Sequence, residues 1–179
     1  MKILYLHGWR SVPGGVKPSW LRSRGHEVCN PALDAEDLQV AIRQGQLAFE
    51  QQLPDVIIGA SRGAVIAQSL DCGTVPRVLM CPAWKRWEPS RPLRAPVLIL
   101  HSPADELVPW QDSAELLERS GLSRELLISV GVDHRLSDEG SLEVLQWACG
   151  MLLAGEQLPP DEDVEQSAGR AGVTGAEAS

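Results

Sequence analysis

The stretch Asp55-Val56-Ile57-Ile58-Gly59-Ala60-Ser61-Arg62-Gly63-Ala64-Val65-Ile66-Ala67-Gln68-Ser69-Leu70 decides the fold. It opens on a short apolar run rich in β-branched residues, the composition of a strand covered on both faces. It closes on a helix-forming run, and small residues surround Ser61 at the junction. A chain that turns sharply from strand to helix lifts the apical residue above the sheet and strains its backbone. The positions around it then hold only small side chains, which Gly59 and Gly63 provide. G-x-S-x-G in this setting is the pattern of an exposed serine nucleophile. A surface turn with an idle serine is the reading this stretch alone leaves open.

Working outward, strand and helix patterns alternate from residue 2 to about residue 153. Strands are expected at 2–7, 26–30, 55–60, 77–81, 96–101 and 125–131, and helices at 17–24, 35–52, 62–71, 110–120 and 138–153. Asp34 is the expected cap of the second helix, with Asp37 three positions on; Asp138, or Ser137 beside it, caps the last. Gly121 suits the end of the helix that begins near Pro109. Such alternation implies right-handed crossovers and a parallel sheet. The expected fold is therefore α/β: a six-stranded parallel sheet in a three-layer sandwich, one domain over residues 1–154, followed by an acidic, disordered tail at 155–179.

The 179 residues carry a net charge of −8, distributed unevenly. Residues 156–179 hold six acids and the single base Arg170, leaving 18 acids against 15 bases in the body. That balance argues against nucleic acid as a partner. No apolar run reaches the ~20 residues a membrane span needs, and the apolar N-terminus is too brief for a signal peptide, so no membrane partner and a cytoplasmic location are expected. Cys29, Cys72, Cys81 and Cys149 lie far apart without C-x-x-C spacing, as reduced thiols rather than metal ligands or a disulfide frame.

Ligands of open parallel sheets bind beyond the carboxyl ends of the strands, near the point where strand order reverses. His7-Gly8-Trp9 follows the first expected strand, Ser61 the third, Asp105 the fifth and His134 the sixth. The order Ser…Asp…His, the block Leu4-Tyr5-Leu6-His7-Gly8-Trp9, the Ser61 turn, Leu98-Ile99-Leu100-His101-Ser102-Pro103-Ala104-Asp105-Glu106-Leu107-Val108-Pro109 and Gly131-Val132-Asp133-His134 together resemble a minimal α/β-hydrolase. The resemblance covers residues 2–150 and is to small esterases or acyl hydrolases that lack a lid, since only residues 82–95 stand where a lid would be inserted.

This resemblance implies a serine hydrolase acting on small carboxylic esters or thioesters, without metal or cofactor. Ser61 would be the nucleophile, His134 the base and Asp105 its orienting acid. The backbone amides of Trp9 and Arg62 would form the oxyanion hole. Duller roles remain open: His134 paired with Asp133, Asp105 as a helix cap, Glu106 or Asp112 as the acid. His7 is expected to shape its loop, His101 to be a satisfied core group, and His26 has no evident partner.

Six tryptophans accompany one Tyr and one Phe. Trp9, Trp84, Trp87 and Trp110 follow strand ends and are expected to wall the substrate pocket, whereas Trp20 and Trp147 read as packing residues. Arg10, Arg62 and Arg135 each stand one position beyond Trp9, Ser61 and His134, and Lys85-Arg86 separates two tryptophans. A positively lined mouth favouring a carboxylate or phosphate follows, against an alternative of solvated arginines. Two further functions compete: a non-catalytic binding protein of the same fold, and an amidase or peptidase using the same triad. The sequence leaves the oligomeric state open.

Overall fold

A computed structural model of the chain describes residues 1–89 and 91–155. Apart from Gly155, the expected acidic tail lies outside the described residues. The strands are β1 (Lys2–Leu6), β2 (Glu27–Cys29), β3 (Val56–Ala60), β4 (Arg77–Met80), β5 (Val97–His101) and β6 (Leu127–Ser129). The helices are α1 (Val16–Ser23), α2 (Leu38–Gln52), α3 (Arg62–Ser69), α4 (Trp110–Arg119) and α5 (Glu139–Ala154).

All strand pairs are parallel, in the order β2-β1-β3-β4-β5-β6. The chain leaves β1 for one side of the sheet and returns to the other side as β3. Strand order therefore reverses between β1 and β3, where Leu6 lies opposite Gly59. The two loops that start there, after Leu6 and after Ala60, face one another.

Side-chain alternation divides the core in two. Leu4, Leu6, Ile57, Leu79 and Ile99 pack beneath α2, α3 and α4. Ile3, Tyr5, Ile58, Val78, Leu98 and Leu100 pack beneath α1 and α5. The central strands are buried on both faces, which explains why they read as unbroken apolar runs.

Several boundaries differ from the expected ones for local reasons. The Asp34 carboxylate accepts from the amides of Glu36 and Asp37 at 2.9 and 2.7 Å, closing a turn of its own. The cap of α2 is therefore Asp37, which accepts from Gln39 and Val40. The expected sixth strand shortens because residues Arg124–Leu126 form a 3-10 turn capped by Ser123. Asp138 caps α5 by accepting from the amide of Ser141. Gly121 ends α4 at φ +65, with its amide on the Glu118 carbonyl and that of Leu122 on the Leu117 carbonyl. This is the paired C-terminal motif that favours glycine.

Candidate active site

Ser61 joins β3 to α3 at φ 55 and ψ −115, a backbone region that is costly for a residue with a side chain. Its amide donates to the Met80 carbonyl at 2.8 Å, and its own carbonyl accepts from Ala64 at 3.1 Å. The neighbouring glycines serve close approach. A Cβ on Gly63 would lie 2.0 Å from the Leu6 carbonyl oxygen, and one on Gly59 would lie 2.6 Å from Ala64 Cα. Neither contact is one backbone can yield to, so α3 seats against β1 only because Gly63 lacks a side chain, and against β3 only because Gly59 does.

The loop after β1 comes to the same place. Gly8 to Ser11 form a turn closed by the Ser11 amide on the Gly8 carbonyl, with Arg10 at φ 54. A Cβ on Gly8 would stand 3.4 Å from Ser61 Cβ, so the peptide that follows Gly8 runs alongside the serine. His7 is nearly buried and its Nδ1 donates to the Gly8 carbonyl at 2.9 Å, a loop-shaping bond. The amide of Arg62, the other expected oxyanion donor, opens α3, where the helix dipole adds positive potential.

Asp105 and His134 complete the arrangement. His134 Nε2 lies 3.1 Å from Ser61 Oγ, and its Nδ1 lies 2.6 Å from Asp105 Oδ2. The carboxylate accepts at Nδ1, so the donor is Nδ1–H; Nε2 is left as the acceptor for the serine hydroxyl. Asp105 Oδ1 accepts from the amides of Leu107 and Val108 at 2.8 and 2.9 Å. Burial works against the carboxylate's charge, but those amides and His134 outweigh it and hold Asp105 below the usual carboxylate range. The Asp133 carboxylate does not take the His134 ring. It accepts instead from the amides of Arg135 and Leu136, and Leu136 is fully buried. Of the competing acids, Asp112 is 2.8 Å from Lys85 Nζ and Glu106 is exposed.

Sequence reasoning missed three neighbours of this chain of bonds. His101 was expected to be a satisfied core group, and it is, but one of its partners is Asp105. Its Nε2 donates to Asp105 Oδ2 at 3.1 Å and to the Val108 carbonyl at 3.0 Å, while Nδ1 accepts from Ser113 Oγ at 2.7 Å. Burial pushes its pKa down, against the pull of Val108 and Asp105. Lys17 reaches from α1 to donate to the Arg135 carbonyl and, at 3.3 Å, to Ser137 Oγ, pinning the loop that carries His134. Cys81, at φ 44, brings its sulfur within 4.8 Å of ligand atoms on Asp105 and His134. Burial pushes that thiol up, and both Asp105 oxygens and both His134 nitrogens already hold hydrogen-bond partners. The set thus packs the acid rather than presenting free metal ligands. No residue spacing announces these contacts, which depend on how residues 102–108 fold back; the pair His101 and Asp105, four apart across a strand end, was the only available hint.

A cavity of about 640 Å³ opens over Ser61 and His134. Arg10, Trp87 and Arg135, three of the expected pocket residues, line it, together with Trp9, Lys17, Lys85 and Arg86. Trp84 does not. It is 7% exposed, packs in the core on the α4 side, and its Nε1 donates to the Asp112 carbonyl at 2.8 Å. Trp110 also stays out of the cavity wall, with the Arg124 guanidinium 5.2 Å from its ring. The Arg62 side chain is withdrawn as well: it is 1% exposed, donates to the Asp34 carbonyl at 2.6 Å and stacks 4.9 Å from the Trp87 ring. The first residue of α3 points its side chain toward the loop before α2, leaving only its amide at the turn.

The sheet order and the arrangement of loops define a fold shared with known proteins. No protein-family model matches the sequence, and a search of the curated proteins gives no match. Among solved structures, a protein from Xanthomonas campestris assigned to the α/β hydrolase superfamily superposes with a TM-score of 0.68, at 24% identity over 86% of this chain and 98% of that one. Alpha/beta hydrolase domain-containing protein 10 from mouse gives 0.63 at 17% identity, covering 86% and 90%. Est1E from Butyrivibrio proteoclasticus gives 0.62 at 14% identity, covering 86% and 87%. The chain has the α/β-hydrolase fold. Among the described residues, no helix is long and apolar enough to cross a membrane.

Proposed function

We propose that this protein is a serine hydrolase that cleaves small carboxylic esters or thioesters through an acyl-enzyme on Ser61. The observation that carries the reading is the unbroken chain from Ser61 Oγ through His134 to Asp105, at 3.1 and 2.6 Å. Ser61 Oγ attacks the carbonyl carbon while His134 Nε2 takes the hydroxyl proton. The C–O or C–S bond breaks, and the leaving alcohol or thiol departs with that proton. Water then adds to the acyl-enzyme, giving one proton to His134 and its hydroxyl to the acid product; the proton returns to Ser61. Asp105 keeps the ring in the correct tautomer and stabilises its cation. The amides of Trp9 and Arg62 hold the negative oxygen of each tetrahedral intermediate, where one such donor is worth about 3 kcal/mol. Similarity of fold to esterases supports the acyl-transfer class, and the short segment between β4 and β5 suits an open site for short acyl groups.

Fluorophosphonate labelling tests the proposal. One label per chain on Ser61, abolished by Ser61→Ala, is the expected result. Folded protein that stays unlabelled would leave the binding-protein reading in its place. A panel of esters and thioesters of varied chain length then separates the substrate classes.

A further inference from the structure

We infer that the substrate carries an anionic oxygen group, a carboxylate or a phosphate, on the part that does not react, and that cationic side chains of the catalytic cavity bind it. This deepens the hydrolase reading and rests on it. Five cationic side chains line the cavity, Arg10, Lys17, Lys85, Arg86 and Arg135, against one carboxylate, Asp112. Lys85 is spent on Asp112 at 2.8 Å and on Glu115 at 2.6 Å, which leaves four cations to the cavity. Arg10, Lys17, Arg86 and Arg135 take part in no ion pair among the described residues. Such an accumulation runs against the chain as a whole, whose net charge is −8.

Two of these cations are held in place before any ligand arrives. The guanidiniums of Arg10 and Arg86 lie 4.3 and 4.7 Å from the centre of the Trp9 ring. Trp9 is itself fixed, its Nε1 donating to the Ala35 carbonyl at 2.9 Å and its ring tilted against Trp87 at 5.8 Å. Against Trp87 lies the buried guanidinium of Arg62, with Nε and Nη2 unpartnered; Asp34, Glu36 and Asp37 act on its charge, so it is not counted among the cavity's cations. Ordered guanidinium forks lose little freedom on taking a carboxylate or phosphate. In the same cavity, Lys17 spends two donors on the His134 loop, and burial holds its ammonium below the usual lysine range. An anion there restores what burial removes. Val12, Val16 and Leu107 line the same cavity while 73, 58 and 74% exposed, which offers hydrocarbon contact as well.

Matched substrate pairs test the inference: monomethyl glutarate against methyl hexanoate, and butyryl-coenzyme A against S-butyryl pantetheine. We expect the anionic member of at least one pair to show kcat/KM higher by about tenfold or more at low salt, shrinking as ionic strength rises. The pair that responds tells carboxylate from phosphate. In Arg10→Gln/Arg86→Gln the ratio within that pair should fall toward one. A ratio of one in both pairs, in protein that turns over or is labelled at Ser61, overturns the inference and leaves the hydrolase reading intact. If no ester is cleaved, tryptophan fluorescence of Ser61→Ala titrated with monomethyl glutarate and with coenzyme A decides. A saturable change then upholds anion binding although the hydrolase reading has failed, and a flat titration with both overturns it.

Discussion

The end of β5 and the loop between β6 and α5 both deliver a histidine to Asp105 Oδ2, and they treat the ring in opposite ways. His101 closes a strand, is wholly buried and spends each nitrogen on a protein partner. His134 rides a loop, keeps 17% of its side chain accessible, and turns Nε2 to a serine at the cavity floor. The same chemical group is a strut in one place and, in the proposed mechanism, the base in the other. What separates them is whether one nitrogen is left facing the Ser61 hydroxyl in the cavity. The loop itself is firm: Gly131 at φ +83 lets Leu136 pack inward, Ser102 Oγ donates to the Gly131 carbonyl, and Lys17 clamps the far side.

The largest expected effect is on the loop side. His134→Ala should cut kcat/KM by about 10⁴-fold or more with the far-ultraviolet circular dichroism unchanged, since the base is lost and the core is untouched. Asp105→Asn, which removes the charge both rings share, should cost about 10³- to 10⁴-fold in kcat through loss of the correct His134 tautomer. His101→Gln should cost far less activity, roughly tenfold, and about 1–3 kcal/mol of stability from buried polar groups left unpaired. If His101→Gln abolished activity as fully as His134→Ala, the division between strut and base would collapse.

The smallest effect is thermodynamic. Burial lowers the pKa of His101, so between its folded and unfolded values the unfolded chain binds the extra proton. Its stabilising contribution is complete above about pH 6.5 and falls as the solution is acidified through that range, by at most about 1.4 kcal/mol per pH unit. Urea titrations of the native protein and His101→Gln from pH 7.5 to 5 should show the steeper loss in the native protein. Equal slopes would mean that the buried ring does not govern acid sensitivity here.

The parallel sheet and the placing of Ser61, Asp105 and His134 at strand ends were legible because each has a local signature, whereas the order of the strands in the sheet has none. The side chains around them were less so. Trp84 and Trp87, three residues apart, end on opposite sides of the cavity wall, one in the core and one lining the cleft. Alternation stops where a strand stops, so the sequence beyond it does not specify which face a ring will meet. Arg62 shows the same limit: its neighbour Ser61 faces the cavity, but one step into a helix turns the side chain about 100° away. Asp34 was misread for a different reason, since two aspartates three apart could each close a turn and only one could start the helix.

The absence of a methyl group at Gly63 ties the geometry of the Ser61 turn to the docking of β1. Ser61 keeps its unfavourable backbone only while α3 leans on the carbonyl of Leu6 and the amide of Ser61 is tethered to β4. Were β1 undocked, α3 would lose the surface it leans on, and the Ser61 turn would lose the contact that Gly63 makes possible.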